Sequence, residues 1–332
     1  MASPASPVAR LSLAEVLEPV KSDLDTVFDE IVSLVRSDLH MIDGVNQHLL
    51  QIRGKMFRPA LVLLSAHATG GVSEREIKLA AVVELIHLAT LIHDDSVDHS
   101  ALRRGQPTVS AQFSHEIAVI MGDYLYSRAI EVLVGLDSLE PLRIMSRVTN
   151  ELTIGEMREV AAHDLLDFSE ADYEELIRAK TASLMAGACE IGSLAGEPSL
   201  REPLRRYGLH LGTAFQIADD LLDYTASEAV TGKPNWQDLR EHKITLPLIV
   251  ALPQMTPGER AHVEELMSDP LPSDELIRSV VRIVEDRGGI AVSRERAHRL
   301  VQKAEAELGS LPAGWARDAL FECVTYSVER RR

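Results

Sequence analysis

The sequence has few cysteines, few aromatic residues and a shortage of positive charge. Its 332 residues include two cysteines, Cys189 and Cys323, which lie far apart and lack partners at the spacing of a metal site or a redox motif. This usage is typical of a reducing compartment. Lysine and arginine total 34 against 51 aspartate and glutamate residues, which excludes a broad basic surface for nucleic acid or anionic lipid. A negatively charged ligand must therefore meet local basic residues or metal ions.

Long hydrophobic runs are also missing. No segment has the roughly 18 consecutive apolar residues that a membrane-spanning helix needs, and the amino terminus lacks the apolar core of a signal peptide. Hydrophobic residues nonetheless make up 45% of the chain, which is enough for a substantial core. We therefore expect a soluble, cytoplasmic protein with a disordered tail at residues 1–8.

Apolar residues recur at helical spacing along nearly the whole chain, as in residues 24–39, 60–68 and 77–93. No segment alternates convincingly in the way that a strand does, and glycine and proline interrupt the helical pattern only in short connections. The pattern predicts about ten to twelve helices without a domain linker between them. We expect a single all-α domain over residues 9–332.

Two acidic clusters interrupt the apolar pattern. Residues 93–98 read HDDSVD directly after an apolar helical run, and residues 218–224 repeat the pattern as ADDLLDY. Aspartates four positions apart on a helix present two carboxylates to one side, where they repel each other unless a cation lies between them. Mg²⁺ is held by one or two carboxylates and keeps water and substrate phosphates as its other ligands. Two such clusters with basic residues downstream suit a diphosphate clamped by several Mg²⁺ ions.

Each feature taken singly has a simpler interpretation. A single acidic cluster also fits a solvated helix end, because short acidic motifs are common by chance. Lys55 and Arg58 alone fit a solvated helix start, and His87 alone fits a buried core histidine. An EF-hand is a poor alternative, since neither cluster has the central glycine and closing glutamate of that loop. The joint occurrence of these residues is what favours a binding site.

Six motifs in the order of a known family cover nearly the whole chain. They read GKMFRPAL at 54–61, LIHDDSVDHSALRRGQPT at 91–108, GDYLYSRA at 122–129, KTASL at 180–184, GTAFQIADDLLDY at 212–224 and ERAHRLVQKAEAEL at 295–308. Together they resemble the trans-type polyprenyl diphosphate synthases, especially the medium- and long-chain synthases that make hexaprenyl to decaprenyl products. The resemblance implies an all-α, isoprenoid-synthase-type helical bundle around a deep central cavity. It also implies a homodimer, with the two aspartate-rich motifs facing each other at the mouth of the cavity.

The resemblance assigns roles to individual residues. It implies three Mg²⁺ ions per active site, bound by Asp94, Asp98 and Asp219, with Asp95, Asp220 and Asp223 as supporting or water-mediated ligands. It implies that the allylic diphosphate is held by Arg103, Lys180 and Lys233, with Thr181, Gln216 and Lys243 beside it. It implies that isopentenyl diphosphate is held by Lys55, Arg58, His87 and Arg104. The implied catalytic set is Asp94, Asp98, Asp219, Arg103, Lys180 and Lys233.

The implied reaction is a Mg²⁺-dependent prenyl transfer. The carbon–oxygen bond of the allylic diphosphate ionises as charge is drawn onto the leaving group, and the isopentenyl double bond attacks the allylic cation. Loss of a proton leaves an allylic diphosphate that is one isoprene unit longer. The departing diphosphate serves as the base, so no catalytic histidine or glutamate is required.

Product length is expected to depend on the residues just before the first cluster. Ala89 and Thr90 lie about one helical turn before Asp94, where short-chain members of the family close the product path with phenylalanine or tyrosine. Three deeper apolar residues fit either a tunnel lining or ordinary core: Ile86, Leu85 and Val82. We expect farnesyl or geranylgeranyl diphosphate to prime the reaction, with products longer than four isoprene units, about six to ten by resemblance.

The chain departs from the family pattern in two loops. The family usually has glycines in the loop after the second cluster, where this chain has Trp236 and His242, although Asp238 and Lys243 are kept. Arg53 stands where a second glycine often precedes Gly54. We therefore expect the loop after the second cluster to close differently.

Three other functions are considered beside long-chain synthesis: a geranylgeranyl or farnesyl diphosphate synthase, a class I terpene cyclase and a non-catalytic partner subunit. The second DDxxD motif and the residues for isopentenyl diphosphate argue against a cyclase. The complete set of aspartates argues against a non-catalytic subunit.

Overall fold

The structure is a computed structural model, and it describes residues 12–51, 54–162, 166–225 and 236–329. These ranges are almost wholly helical and contain seventeen α-helices, more than the ten to twelve expected from the sequence, because five of them have fewer than ten residues. The all-α prediction is confirmed. None of the helices in the described ranges is long and apolar enough to cross a bilayer.

The helical segments follow one another through short connections. The α-helices of the first half are α1 (Leu13–Leu17), α2 (Lys21–Leu34), α3 (His40–Gln51), α4 (Phe57–Thr69), α5 (Glu74–Val97), α6 (Val109–Gln112), α7 (His115–Gly135) and α8 (Leu139–Ala162). Those of the second half are α9 (Glu170–Ile177), α10 (Ser183–Gly192), α11 (Arg201–Thr225), α12 (Gln237–Arg240), α13 (Leu246–Ala251), α14 (Pro257–Ser268), α15 (Asp274–Asp286), α16 (Gly289–Leu308) and α17 (Trp315–Glu329). Two two-residue strands, β1 (Leu102–Arg103) and β2 (Gln106–Pro107), form an antiparallel hairpin that the sequence did not predict.

Helix α5 runs through the interior and ends at the first acidic cluster. Its start is fixed by a capping box, in which the hydroxyl of Ser73 accepts a hydrogen bond from the Arg75 amide and the Glu76 carboxylate accepts one from the Ser73 amide at 3.1 Å. Every side chain from Leu79 to Ile86 is buried. A helix that is buried on all sides belongs to the core. The acidic cluster therefore lies at the end of a helix whose middle part is in the core.

Helix α11 carries the second acidic cluster and joins two hydrophobic clusters. Its first half contributes Leu204 and Leu211 to the larger cluster, and its second half contributes Ile217 and Leu221 to the smaller one. Helix α16, which packs against α11, also contributes to both. This sharing supports one domain over residues 9–332, which stays a prediction.

The helices around the predicted site approach closely because glycines face neighbouring backbone. A Cβ atom at Gly212 on α11 would lie 2.6 Å from the Cα atom of Ala182, and one at Gly155 on α8 would lie 2.6 Å from the backbone nitrogen of Lys180. Such contacts are too short for any other residue. The glycines therefore let α8 and α11 close around a π-helical turn, Arg178–Ala182.

Candidate active site

The two acidic clusters occupy the C-terminal ends of two long helices. Helix α5 ends with Asp98 as its C-cap, and α11 ends at Thr225, two residues after Asp223. The C-terminal end of a helix carries a partial negative charge of about half an electron, so acidic side chains are unfavourable there. Each helix end therefore requires compensating positive charge.

In the first cluster, Asp95 is held by Arg103. The Nε atom of Arg103 donates to both carboxylate oxygens of Asp95, at 2.8 and 2.7 Å, and the Asp95 side chain is buried. Arg103 belongs to the β1–β2 hairpin, whose two turn residues, Arg104 and Gly105, have φ angles of 53° and 76°. Positive φ at both positions is what a type I′ turn requires. The tight hairpin thus returns Arg103 to the end of the helix that precedes it.

Lys180 is surrounded by carboxylates. Its Nζ atom lies 3.9 Å from Asp94 Oδ2 and 2.9 Å from Glu156 Oε2, and it also pairs with Glu159. Although burial opposes the charged ammonium, Asp94, Glu159 and Glu156 raise the pKa of Lys180, so it is charged at neutral pH. Burial raises the pKa of Asp94, and burial followed by the nearby Asp94 charge raises the pKa of Glu156 to about 7.

Lys243 connects the loop after the second cluster with the first cluster. Its Nζ atom lies 4.0 Å from Asp98 Oδ2, 3.9 Å from Glu159 Oε1 and 2.9 Å from Glu241 Oε2. The Glu159 carboxylate therefore lies between Lys180 and Lys243, two of the three lysines that the resemblance places at the allylic diphosphate.

In the second cluster, Asp220 is held by hydrogen bonds. It accepts from the Tyr173 hydroxyl and from Gln216 Nε2 at 2.8 Å, while Gln216 Oε1 accepts from Thr181 Oγ1 at 2.9 Å. Burial raises the pKa of Asp220 to about 7, although both hydrogen bonds act in the opposite direction. Because Thr181 follows Lys180 in the chain, the π-helical turn lies beside Asp94 of the first cluster and is linked to Asp220 of the second through Gln216.

Asp223 caps the short helix α12. Its two oxygens accept hydrogen bonds from the backbone amides of Gln237 at 2.9 Å and Asp238 at 3.0 Å. Burial, reinforced by Asp220 and Asp223, raises the pKa of Asp238 well above its usual range. Asp219 is exposed.

The six aspartates thus divide into two groups. Asp95, Asp220 and Asp223 are held by an arginine, by side-chain hydrogen bonds and by backbone amides, whereas Asp94, Asp98 and Asp219 are the three implied principal metal ligands. Within the described ranges, no three histidine, cysteine, aspartate or glutamate side chains converge to enclose a metal ion. Mg²⁺ does not need to be enclosed by protein side chains, because water and phosphate oxygens complete its coordination. The aspartates assigned to it offer only oxygen atoms as ligands, which Mg²⁺ prefers. The positions of the six aspartates are compatible with the Mg²⁺-binding roles that the resemblance assigns to them, and these roles stay predictions.

Three of the residues expected to hold isopentenyl diphosphate lie together. Arg58 Nη1 donates to His87 Nε2 at 3.0 Å, and burial together with the nearby arginines lowers the pKa of His87 well below its usual range, so the imidazole is neutral. A Cβ atom at Gly54 would lie 3.9 Å from Arg104 Nη1 and 3.3 Å from Glu84 Oε1. Gly54 therefore leaves room for an arginine and a carboxylate to approach each other.

The fourth residue of this set, Lys55, is exposed, and its Nζ atom donates to the hydroxyl of Tyr326 on α17 at 3.4 Å. The Glu84 carboxylate, which lies near Gly54, is buried, and burial raises its pKa to about 7 against the opposing effect of Arg58 and Arg104. Lys233, which was also expected at the site, lies outside the described residues, as does Arg53.

Several residues of this site were not predicted from the sequence. Glu84 had a usable signal, because it is a carboxylate inside the apolar run VVELIH, as the aspartates are in theirs. Glu156 and Glu159 had none, since their contact with Lys180 depends on how α8 packs against the π-helical turn. The hydrogen bond from Tyr173 to Asp220 likewise depends on how the fold brings distant segments together.

A separate cavity lies between α8, the π-helical turn, α10 and α11. It has a volume of about 230 Å³ and is lined by four arginines, two glutamates and several small or apolar residues, none of which was expected at the site. The chemistry of the acidic clusters and lysines, rather than the size of this cavity, identifies the candidate active site.

Comparisons with known proteins agree with the motifs. The family model for polyprenyl synthetase matches residues 40–284. The chain is 37% identical over 318 residues to the all-trans-nonaprenyl-diphosphate synthase (geranyl-diphosphate specific) of Rhodobacter capsulatus, covering 95% of this chain and 97% of that protein. It is 35% identical over 324 residues to the octaprenyl diphosphate synthase of Escherichia coli, covering 97% and 100%. A polyprenyl synthase from Caulobacter crescentus, solved with calcium and isoprenyl diphosphate, matches with a TM-score of 0.91 and 34% identity over 98% of this chain and 100% of that one.

The raised pKa of Asp220 predicts a pH-dependent stability of the metal-free protein. The stabilising contribution of the protonated carboxyl is complete below its unfolded pKa of 3.8 and is lost as the pH rises towards about 7. Asn cannot ionise, so the free energy of unfolding of Asp220→Asn relative to wild type should rise by about 4 kcal/mol across this range. Urea unfolding of both proteins in the presence of a chelator measures this difference in the free energy of unfolding. Asp286→Asn, an exposed control, should show no trend, and a constant difference for Asp220→Asn would contradict the burial of an ionisable group.

Proposed function

We propose, since the chain belongs to the polyprenyl synthetase family and is a trans-polyprenyl diphosphate synthase, that the cleft between the ends of α5 and α11 is its catalytic site. The proposal rests on two segments that are each linked to both DDxxD motifs. Lys180 of the π-helical turn lies 3.9 Å from Asp94, and the next residue, Thr181, donates to Gln216, which in turn donates to Asp220. The segment of residues 237–243 donates to Asp223 through two backbone amides and places Lys243 Nζ 4.0 Å from Asp98. Cations placed between two acidic helix ends suit a ligand that carries its own negative charge and brings divalent metal with it.

Mg²⁺ is the proposed metal. Asp94, Asp98 and Asp219 would hold it, with the three other aspartates in supporting roles and three ions per active site. When bound, Mg²⁺ neutralises the diphosphate and stabilises its departure from the allylic carbon. The calcium and isoprenyl diphosphate in the Caulobacter relative support a divalent cation and a diphosphate in this cleft.

The basic residues of the cleft bind and orient the allylic substrate. Lys180 and Lys243 now contact Glu156, Glu159 and Asp98, and phosphate oxygens would replace these carboxylates as their partners. The bond from Arg103 Nε to Asp95 fixes the guanidinium, which is a geometry suited to phosphate. Donors fixed in advance stabilise the charge that develops on the leaving diphosphate.

Isopentenyl diphosphate is proposed to bind at Lys55, Arg58, His87 and Arg104. The neutral His87 accepts a hydrogen bond from Arg58 and so orients the guanidinium. No side chain is needed as a base, because the departing diphosphate takes the proton lost from the condensed product.

The product is proposed to be longer than four isoprene units, about six to ten. Ala89 is buried on α5, and the hydroxyl of Thr90 donates to the carbonyl oxygen of His87 at 2.8 Å. Both side chains are too small to close a path along this helix, and the names of the nonaprenyl and octaprenyl relatives support a long product. Farnesyl or geranylgeranyl diphosphate is the proposed primer. Geranyl diphosphate belongs in the same assay because the Rhodobacter relative is named as specific for it.

The active form is proposed to be a homodimer. Exposed apolar side chains lie on the two helices α7 and α8, among them Ile120, Val134, Leu139, Met157 and Val160, each 59 to 66% exposed. Such a surface is typical of a protein interface. In sedimentation equilibrium we expect twice the chain mass of 36.6 kDa, and a monomer at assay concentration would contradict the proposal.

The experiment that tests the function is a condensation assay with purified protein, Mg²⁺, radiolabelled isopentenyl diphosphate and each allylic primer. Wild type should incorporate label, whereas Asp94→Ala and Asp219→Ala should lose about 100-fold or more in turnover, because the metal loses a ligand. Asp286→Ala, at an exposed position on α15, is the matched control. Near-normal turnover by both active-site variants, with unchanged circular dichroism, would exclude the aspartates as metal ligands.

The two proposed subsites should separate in substrate kinetics. Arg104→Ala and Lys55→Ala should chiefly raise the KM for isopentenyl diphosphate, by about tenfold, because each removes one charged hydrogen bond. Lys180→Ala should chiefly raise the KM for the allylic substrate. If all three variants raised the same KM equally, the division into two subsites would be wrong.

Product length should respond to the size of residue 89. Ala89→Phe should block the path along α5 and shorten the product to about three or four isoprene units. Thr90→Ser, which keeps the neighbouring side chain small, should leave the product unchanged. Reversed-phase thin-layer chromatography of the dephosphorylated products measures both. A wild-type enzyme that stops at farnesyl diphosphate, or an unchanged distribution from Ala89→Phe, would refute the open path at this position.

A further inference from the structure

The segment of residues 236–243 has unfavourable backbone conformations at two positions. Trp236 and His242 have φ angles of 60° and 55°, in the left-handed region that favours glycine. In the family motif that this segment resembles, both positions are glycine. Here the left-handed conformation is adopted by side chains that resist it, which requires contacts that hold it.

Both side chains make such contacts with the neighbouring helices α14 and α15. The guanidinium of Arg278 on α15 lies over the Trp236 ring, 5.8 Å from its centroid, which is within the range of a cation–π interaction. His242 Nε2 donates to the carbonyl oxygen of Asp269, the residue that follows α14, at 3.0 Å. The two replacements of glycine thus attach both ends of the segment to the same helical pair.

The residues between these two contacts are also fixed. Leu239 is fully buried in the smaller hydrophobic cluster, and Arg240 pairs with Asp274 at the start of α15. The backbone amide of Lys243 donates to the carbonyl oxygen of Asp238 at 2.7 Å. The backbone of Lys243 is therefore held at a defined position relative to α14 and α15.

We propose that Trp236 and His242 are positioning residues that hold Lys243 beside Asp98 and Glu159 before the substrate binds. The proposal rests on the proposed function, in which Lys243 binds the allylic diphosphate. With glycine at both positions the segment would have many backbone conformations, and binding would have to order it. The two side chains restrict these conformations in advance, so less entropy is lost when the diphosphate binds.

The first test replaces both residues with the glycine that the related synthases carry. In the variant Trp236→Gly/His242→Gly, the KM for the allylic substrate should rise about threefold to tenfold while the KM for isopentenyl diphosphate stays unchanged. Hydrogen–deuterium exchange in the absence of substrate should be faster for the amides of residues 237–243. Trp236→Phe keeps an aromatic face for Arg278 and should retain wild-type values.

The second test removes the partner of the Trp236 ring. Arg278→Ala, which is outside the catalytic cleft, should raise the allylic KM as much as Trp236→Gly, and the double variant should show no further increase. Arg282→Ala, an exposed arginine one turn later on the same helix, should leave both KM values unchanged.

The outcomes separate this inference from the proposed function. If wild type condenses isopentenyl diphosphate but the glycine and Arg278→Ala variants keep the wild-type allylic KM, the positioning role is overturned and the proposed function stands. Equal increases in both KM values with a large fall in melting temperature would show a general structural effect and would also overturn it. A wild-type protein without condensation activity would overturn the proposed function, while unchanged exchange in the glycine variant would independently overturn the anchoring of the segment.

Discussion

The constraint on which the rest of the structure depends is the accumulation of negative charge at the C-terminal ends of α5 and α11. Each end has three aspartates in or just after its last two turns, where the helix dipole is also negative, in a chain whose net charge is -17. The protein compensates by placing Lys180 and Lys243 among the carboxylates and by raising the pKa values of Asp94 and Asp220. The same arrangement suits the proposed Mg²⁺ ions, because metal binding would replace an unfavourable repulsion with favourable coordination.

The compensating contacts also explain how the cleft is kept ready for substrate. A lysine that is held by carboxylates does not collapse onto other parts of the protein, and phosphate oxygens, which are also anionic acceptors, can replace the carboxylates as its hydrogen-bond partners. Meanwhile Asp95 and Asp223 are bound to Arg103 and to backbone amides, which fixes the helix ends themselves. Within each motif, structural contacts are thus made by some aspartates, and the proposed metal-binding roles fall to others.

Much of the fold could be predicted from the sequence, because helical periodicity is a local property and α5 is marked by a capping box and a long apolar run. The two DDxxD motifs were recognisable because each is also a local feature of the sequence. The contact of Lys180 with Glu159 could not be predicted, since it depends on the close approach that Gly155 permits between distant segments. The β1–β2 hairpin was missed because two-residue strands have no measurable alternation.

The central claim is that a diphosphate and Mg²⁺ together occupy the space between the two acidic helix ends. The most direct measurement is a crystal structure with Mg²⁺, isopentenyl diphosphate and a thiolo analogue of farnesyl diphosphate that cannot ionise. We expect the analogue's diphosphate between Asp94 and Asp219, bridged to both by metal, with Lys180 turned from Glu159 to a phosphate oxygen. A diphosphate bound without contact to either aspartate cluster, for example in the arginine-lined cavity between α8 and α11, would contradict it.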